Sequence, residues 1–457
     1  MESQKAFKEN SAEAVKDIDR QVAFDDNVAR NDTSVQLAMH QYSSIELAKK
    51  RAGYIRHKAI NGLEKYLIEF EANLERNGGK VIWALDAEEA VAEINNILKK
   101  HAITHVTKSK SLIADEIDLY NKLKEFSITC DEVHPAEFIL RRFDERPVHS
   151  SSFLINKSLR EINELLHGKY KLPAKQKAGE VLAFIKSESR EKLEYSKASI
   201  SGANYVIADT GSVCITEDAG DAVMNTILPK IQIVLAGIDK VIPSILNLDI
   251  LLPLFATYSS GQRISAYNTI VSGPKQESEK DGPSEMYVVL LDNGRSNILA
   301  KKFQRRALSC IDCGACQNAC PVYRKIGGKA YNSTYTGPIG SVITPWMKGL
   351  QEYSHLSYAS TLCGKCTEVC PVLINLHDQL LYNRNDTIKL KNYSFTEGLI
   401  MEGWHQTLKS RKWMDWFKAK WKNIFLKKVY SQNWKNLPQI SNKNFRQLWE
   451  ERREGKV

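Results

Sequence analysis

The sequence predicts an α/β domain with a largely parallel sheet, preceded by a helical arm and followed by a small domain without strands. Three observations predict it. Short β-branched runs alternate with amphipathic segments from about residue 80 to residue 300. The strand signal then ends after Leu299, and seven of the nine cysteines fall between Cys310 and Cys370.

Residues 1–75 are polar and helix-prone, with Ile45, Leu47, Ile55, Leu63, Leu67 and Phe70 recurring at three- and four-residue spacing. This is the pattern of a helical arm packed on a larger body. Residues 76–300 carry the α/β signal. Lys80–Ala84 reads as a strand, Asp86–Lys100 as a helix, and Thr104–Thr107 as a strand again. Tyr205–Ala208 and Ser212–Thr216 read as two strands joined by the turn Asp209-Thr210-Gly211, and Ile231–Ala236 and Met286–Leu291 as two more. Gly273–Pro283 is a solvent loop rich in Lys, Glu and Ser. Residues 301–385 hold the cysteines within helical segments, a length that suits a small domain stabilised by its metal. Residues 386–457 form a basic, Trp-rich helical tail.

A chain of 457 residues, 43% hydrophobic and 26% charged, is ordinary globular composition and excludes disordered and fibrous classes. The longest apolar region, Ile231–Phe255, is broken by Asp239, Lys240, Pro243, Asn247, Asp249 and Pro253, so it is not a membrane span. The charged first twenty residues lack the apolar stretch of a signal peptide, which points to the cytosol, where thiols stay reduced. The net charge of +10 is concentrated after residue 385, where 16 Lys and Arg face seven Asp and Glu. The rest of the chain is near neutral, which argues against nucleic-acid binding. In the tail, Trp413, Trp416, Phe417, Trp421, Ile424 and Phe425 recur at helical spacing among Lys412, Lys418, Lys422, Lys427 and Lys428. Such a helix packs on a protein surface or lies peripherally on an anionic membrane, and protein packing is the expectation favoured.

The first cysteine motif, Cys310-Ile-Asp-Cys313-Gly-Ala-Cys316-Gln-Asn-Ala-Cys320-Pro321, has the C-x2-C-x2-C-x3-C-P spacing of cubane iron–sulfur proteins. Two-residue gaps let three thiolates wrap one cluster, and in two-cluster proteins the fourth ligates the other. The second motif, Cys363-Gly-Lys-Cys366-Thr-Glu-Val-Cys370-Pro371, repeats the last three-quarters of the first. Reciprocal exchange therefore predicts cluster one on Cys310, Cys313, Cys316 and Cys370, and cluster two on Cys320, Cys363 and Cys366. Cluster two is one thiolate short, because Ser360 stands at the position equivalent to Cys310. It is either a 4Fe-4S cluster with a hydroxyl, water or partner ligand on one iron, or a 3Fe-4S cluster. The alternative is structural zinc, which would need His355 or another donor to complete two four-ligand sites and has no use for the long cysteine–proline run.

These motifs, with the linker Tyr335–Thr344 (YTGPIGSVIT), resemble the lactate utilization protein B family. Further stretches similar to it are Val106–Leu112, Ile200–Ser212, Leu291–Ser296 and the terminal Asn444–Arg452. The resemblance covers nearly the whole chain. It implies a LUD-type α/β domain similar to ribose-phosphate isomerases and CoA transferases, then an α-helical ferredoxin domain with two clusters. It also implies an electron carrier in the oxidation of L-lactate to pyruvate, working with a second cysteine-rich iron–sulfur subunit and a LUD-domain-only protein. The seven cluster cysteines, and the absent eighth, carry over position by position. The segment Glu217–Met224 (EDAGDAVM) departs from the family's usual Asn-Glu-Gly-Asn run followed by Arg.

Lys108-Ser109-Lys110-Ser111 follows a strand and precedes a helix, so its N–H groups and two ammonium groups are candidates to cradle a carboxylate or phosphate, the alternative being a serine-capped helix start. Asp209-Thr210-Gly211-Ser212 lines the same cleft if its strand ends there, and is otherwise a simple turn. Cys130 and Cys214 read as buried apolar residues. No metalloprotease pair, nucleophile elbow or dinucleotide fingerprint is present, so no catalytic residue is expected and a hydride acceptor is expected on a partner. The rival to an electron carrier is an anion-binding regulatory or sensor protein with structural or oxidant-sensing clusters.

Overall fold

The structure is a computed structural model describing residues 2–390, 395–410, 419–430 and 439–455. It divides into two compact units, Met1–Thr387 and Ile388–Val457.

The first unit opens with helices Glu2–Ala14, Ile18–Met39, Ile45–Asn61 and Leu63–Arg76. Side-chain caps fix two of the starts. Asp17 accepts the N–H of Arg20 at 2.9 Å, and Ser44 that of Leu47 at 3.3 Å, satisfying amides that a helix start leaves without partners. Leu63, Leu67, Phe70 and Leu74 bury one face of the fourth helix. Leu47, counted in the apolar repeat, instead faces outward, and Ala48 and Ala52 take the buried positions.

Ten strands follow among the described residues: β1 (Lys80–Ala84), β2 (His105–Lys108), β3 (Thr129–Glu132), β4 (Ala198–Gly202), β5 (Tyr205–Ile207), β6 (Ser212–Glu217), β7 (Ile231–Gly237), β8 (Val241–Ile242), β9 (Tyr267–Val271) and β10 (Glu285–Leu291). Six of them form a sheet in the order β1-β10-β7-β4-β2-β3 in which every pairing is parallel. Every residue of β7 is buried, as a parallel sheet covered on both faces requires. Helix Ala87–Lys100 and the short helices Leu112–Glu116 and Leu119–Glu125 pack on one face. Helix Leu63–Arg76 and a second sheet, β8-β5-β6-β9, pack on the other. The expected hairpin of β5 and β6 is antiparallel. At its turn Gly211 has φ +62°, and a Cβ there would lie 2.3 Å from the backbone nitrogen of Leu74, so only glycine fits.

After β10 the described chain is helices, 3-10 turns and loops. Its core is continuous with the rest of the unit: Ala52 and Ile55 of the arm, Tyr205 and Leu251 of the α/β region, and Ile311, Ile339 and Leu376 of the cysteine region share one apolar cluster. Arg56, fully buried, ties the same three regions. Its guanidinium donates to the carbonyls of Asp239 (2.5 Å), Val241 (2.8 Å), Leu308 (3.1 Å) and Ser309 (3.3 Å).

The second unit holds helices Phe395–Leu408, Ala419–Tyr430 and Phe445–Arg453. Trp421 and Ile424 of the predicted apolar stripe are exposed. Trp413, Trp416, Phe417, Lys412 and Lys418 lie outside the described residues, as do the side chains of Phe425 and Lys428. Among the described residues no helix is long and apolar enough to cross a membrane.

Candidate metal centres and the adjoining pocket

Cys310, Cys313 and Cys316 line one cavity together with Cys370, which comes from the second motif. The cavity is walled by Ile311, Ile339, Val372, Ile374 and Leu376. Backbone amides point at the sulfurs: Asp312 N lies 3.4 Å from Cys310 Sγ, and Ile374 N 3.3 Å from Cys370 Sγ. Burial pushes the Cys310 and Cys316 thiols well up and Cys313 up to about 12, so only a bound cation would hold them as thiolates. Four sulfur donors, apolar walls and N–H groups aimed at sulfur fit an iron–sulfur cluster. Among the described residues, no three His, Cys, Asp or Glu side chains converge as a single-ion site.

Cys320, Cys363 and Cys366 form a second group. The Cys366 thiol is pushed up to about 12, first by burial and then by the nearby Cys320 and Cys363, while Cys320 is raised by burial and also feels Cys363. Cys363 is the exposed member.

The two motif loops share a backbone plan. In the first, Asp312 (φ +56°) and Gly314 (φ +78°) adopt left-handed conformations; in the second, Leu362 (φ +56°) and Gly364 (φ +82°) do so at the equivalent positions. Ser360 Oγ accepts the N–H of Leu362 at 3.1 Å, as Cys310 Sγ accepts that of Asp312. The serine therefore occupies the place of the missing cysteine in a loop that keeps its ligand-loop shape.

A larger pocket opens at the carboxyl ends of β2, β4 and β7, where parallel α/β sheets bind ligands. Lys110, Asn204, Glu217, Lys240, Arg295 and Asp312 bring polar groups to it. Ser150, Ile311 and Asp312 line this pocket and the Cys310–Cys370 cavity alike. Most of its charges are already paired. Lys240 Nζ lies 2.6 Å from Asp312 and 3.2 Å from Asp239, and Arg295 lies 2.6 Å from Asp239 and 2.8 Å from Glu116. The Tyr335 hydroxyl donates to Glu116 at 2.6 Å. Burial opposes the Asp239 charge, but Lys240, Arg295 and Arg56 outweigh it and hold its pKa at about 2. Sequence reasoning missed Lys240 and Asp312 as pocket groups and Glu116 as the partner of Arg295; Arg295 and Tyr335 sit in two of the family-like stretches, a signal that was available.

Of the Lys108–Ser111 run, only Lys110 and Ser111 line the pocket. Lys108 does not cradle an anion: its ammonium lies 2.8 Å from Glu137 and 3.8 Å from Glu132, buried and neutralised. Ser111 caps the next helix, accepting the Ala114 N–H at 3.2 Å. The Asp209–Ser212 turn is not in the cleft. It packs on the fourth arm helix, where the Asn73 amide donates to the carbonyls of Ala208 and Asp209. Cys130 and Cys214 are buried, and burial pushes both thiols up to about 12. The divergent segment forms pocket wall through Glu217 and Ala222.

An α/β domain joined to a helical region whose cysteines surround a sulfur-lined cavity defines an iron–sulfur protein. Residues 67–291 match the LUD domain family and residues 306–374 the 4Fe-4S dicluster domain family. The chain belongs to the lactate utilization protein B family. It is 36% identical over 382 residues, 84% of this chain and 80% of theirs, to Lactate utilization protein B of Bacillus thuringiensis (strain Al Hakam), Bacillus cereus (strain AH187) and Bacillus anthracis (strain A0248). A solved DUF162 family protein from Deinococcus radiodurans aligns with 50% of this chain and 98% of its own at 13% identity, with a TM-score of 0.27.

Proposed function

We propose that this chain is the electron-transfer subunit of a complex that oxidises L-lactate to pyruvate. The observation that carries the reading is the crossing of the motifs: Cys370 joins Cys310, Cys313 and Cys316 around one cavity, while Cys320 neighbours Cys363 and Cys366. Ligand exchange of this kind puts two clusters side by side, an arrangement suited to relaying electrons. Cys310, Cys313, Cys316 and Cys370 hold the first 4Fe-4S cluster, and Cys320, Cys363 and Cys366 hold the second, whose fourth ligand is not a cysteine. When bound, such clusters supply one-electron acceptors. The chain's own residues set their surroundings: Asp312 and Ile374 amides face the sulfurs, and Ile339 and Val372 keep water from them.

In this reading the α/β domain has the ribose-phosphate isomerase and CoA transferase arrangement. The partners are a second cysteine-rich iron–sulfur subunit and a LUD-domain-only protein, and the complex works in the cytosol, with the basic tail as its contact to a partner or to the inner face of the membrane. The names of the relatives support lactate as the substrate of the system.

The test is electron paramagnetic resonance across a redox titration of the anaerobically purified protein and of Cys370→Ser and Cys320→Ser. Two reversible signals are expected, with Cys370→Ser losing the first cluster although it lies in the second motif, and Cys320→Ser losing the second. Clusters that collapse on one cycle would move the reading to an anion-binding regulator or oxidant sensor. A colourless, zinc-containing protein would overturn it.

A further inference from the structure

We propose that His57, Arg305 and Arg306 form a binding site for a doubly charged oxyanion of the phosphate class, free or carried on a small molecule, where the helical arm meets the start of the cysteine region. The site lies outside the pocket of the α/β domain. Its ligand is read from the donors on this chain, and only its effect on the first cluster rests on the cluster assignment proposed above.

The third arm helix, Ile45–Asn61, is fixed beside the 3-10 turn Gln304–Ser309 by Arg56, which donates to the carbonyls of Leu308 and Ser309 at 3.1 and 3.3 Å. His57 follows Arg56 on that helix, and the guanidinium groups of Arg306 and Arg305 both act on its ring. Burial, and then these two cations, lower the His57 pKa, so the ring is neutral and carries one proton. The amide nitrogen of Asn61, which can only donate, lies 3.1 Å from His57 Nε2 and makes that atom the acceptor. The ring proton therefore sits on Nδ1. This atom is buried and meets no acceptor, and the same holds for Arg305 Nε and Arg306 Nε.

Neither arginine side chain has a carboxylate or carbonyl partner among the described residues. Of the nearby charges, Arg51 is committed to Asp249 at 3.0 Å, and the Asp386 carboxylate accepts the Gln304 amide at 2.9 Å. Donors without acceptors in a partly buried corner are costly, and an oxyanion supplies the lone pairs they lack. Two guanidinium groups match a phosphate dianion in charge and in their forked geometry, whereas a single carboxylate balances only one of them.

The corner is electrically linked to the first motif cavity. Beyond burial and two backbone amides, Lys49 and Arg306 act on the Cys370 thiol. Lys49 is held in place by the carbonyl of Glu368, to which its ammonium donates at 3.1 Å. An anion seated on Arg306 cancels positive charge in the field of Cys370 and so disfavours the more negative, reduced state of the first cluster. Occupancy of the site is thereby a means of tuning that cluster from the surface.

The test is equilibrium dialysis of the anaerobic, cluster-loaded full chain at fixed ionic strength with labelled orthophosphate, glycerol 3-phosphate and acetate. The proteins compared are wild type, Arg305→Gln, Arg306→Gln, Arg306→Lys and a tail control, Lys420→Gln with Lys427→Gln, with iron content and thermal unfolding as folding controls. One saturable phosphate or phosphomonoester per chain is expected, weakened about tenfold or more by either arginine-to-glutamine change, less by Arg306→Lys, and not by the tail control. Tighter binding of orthophosphate identifies the free ion as ligand, and tighter binding of the ester identifies a phosphate carried on an organic molecule. A redox titration should show a lower first-cluster midpoint with the anion bound in wild type and no such shift in Arg306→Gln. Absence of saturable binding, equal weakening in the tail control, or acetate binding as well as phosphate overturns the proposal; binding without a shift overturns the link to the cluster. Phosphate binding by a protein whose clusters fail to cycle would sink the electron-relay reading and leave this site standing, and reversible clusters without binding would do the reverse.

Discussion

The ammonium of Lys240 sits 2.6 Å from the Asp312 carboxylate, on the loop between two of the candidate ligands of the first cluster. The charge of Cys310 also acts on this lysine, so both members of the pair lie in the field of the cavity. A nearby cation favours the more negative, reduced state. Lys240→Met is expected to lower the first cluster's midpoint potential, and Asp312→Asn to raise it, each by on the order of 50 mV given partial burial and the compensating neighbours. A redox titration followed by paramagnetic resonance measures both; shifts of the same sign would show that the pair acts by shape and not by charge.

Ser360 offers a gain-of-ligand experiment. Its hydroxyl holds the Leu362 amide as Cys310 sulfur holds that of Asp312. Ser360→Cys is expected to complete the second ligand set, so that iron content after air exposure stays higher than in wild type. Equal iron loss in the two proteins would mean that the loop does not deliver a ligand to the cluster.

Arg295 is buried between Glu116 and Asp239. Removing it leaves two buried carboxylates without their cation, which typically costs about 3–5 kcal/mol. Arg295→Met should therefore lower the urea midpoint sharply, and Glu116→Gln combined with it should recover part of the loss. Additive losses in the double variant would contradict direct coupling.

Asp131 provides a pH signature. Its hydrogen bond to His105 at 2.8 Å, followed by Lys192 at 2.7 Å, holds its pKa at about 2, below the ordinary 3.8. A depressed carboxylate stabilises the fold fully above its unfolded pKa, and this contribution is lost as pH falls from about 4 to about 2. Discounted for its partly exposed setting, it amounts to about 1 kcal/mol. The stability gap between wild type and Asp131→Asn should shrink as pH is lowered through this window, a difference measurement in which acid damage common to both proteins cancels.

The parts visible in the sequence are those whose cause is local. β1, β7 and β10 announce themselves through Val, Ile and Leu runs, and the ligand runs through fixed gaps between cysteines. β4 (ASISG) has no such density; its place is set by its neighbours β2 and β7. The pocket is less legible still, because Lys110, Glu217, Lys240, Arg295 and Asp312 are far apart in sequence and meet only on folding. Lys108 and Lys110 look alike in a list of residues. Which of them is neutralised is decided by Glu132 and Glu137, from the following strand and helix.

The guanidinium of Arg56 reaches carbonyls as distant as Ser309, 253 residues further along the chain. Synthesis proceeds from the amino end, so the arm helix waits for most of translation before its last acceptors exist. Cutting away the cysteine region would leave this buried cation with only two of its four acceptors, the carbonyls of Asp239 and Val241. Completion of the arm's hydrogen bonds and formation of the cysteine region are in this sense a single late event in folding.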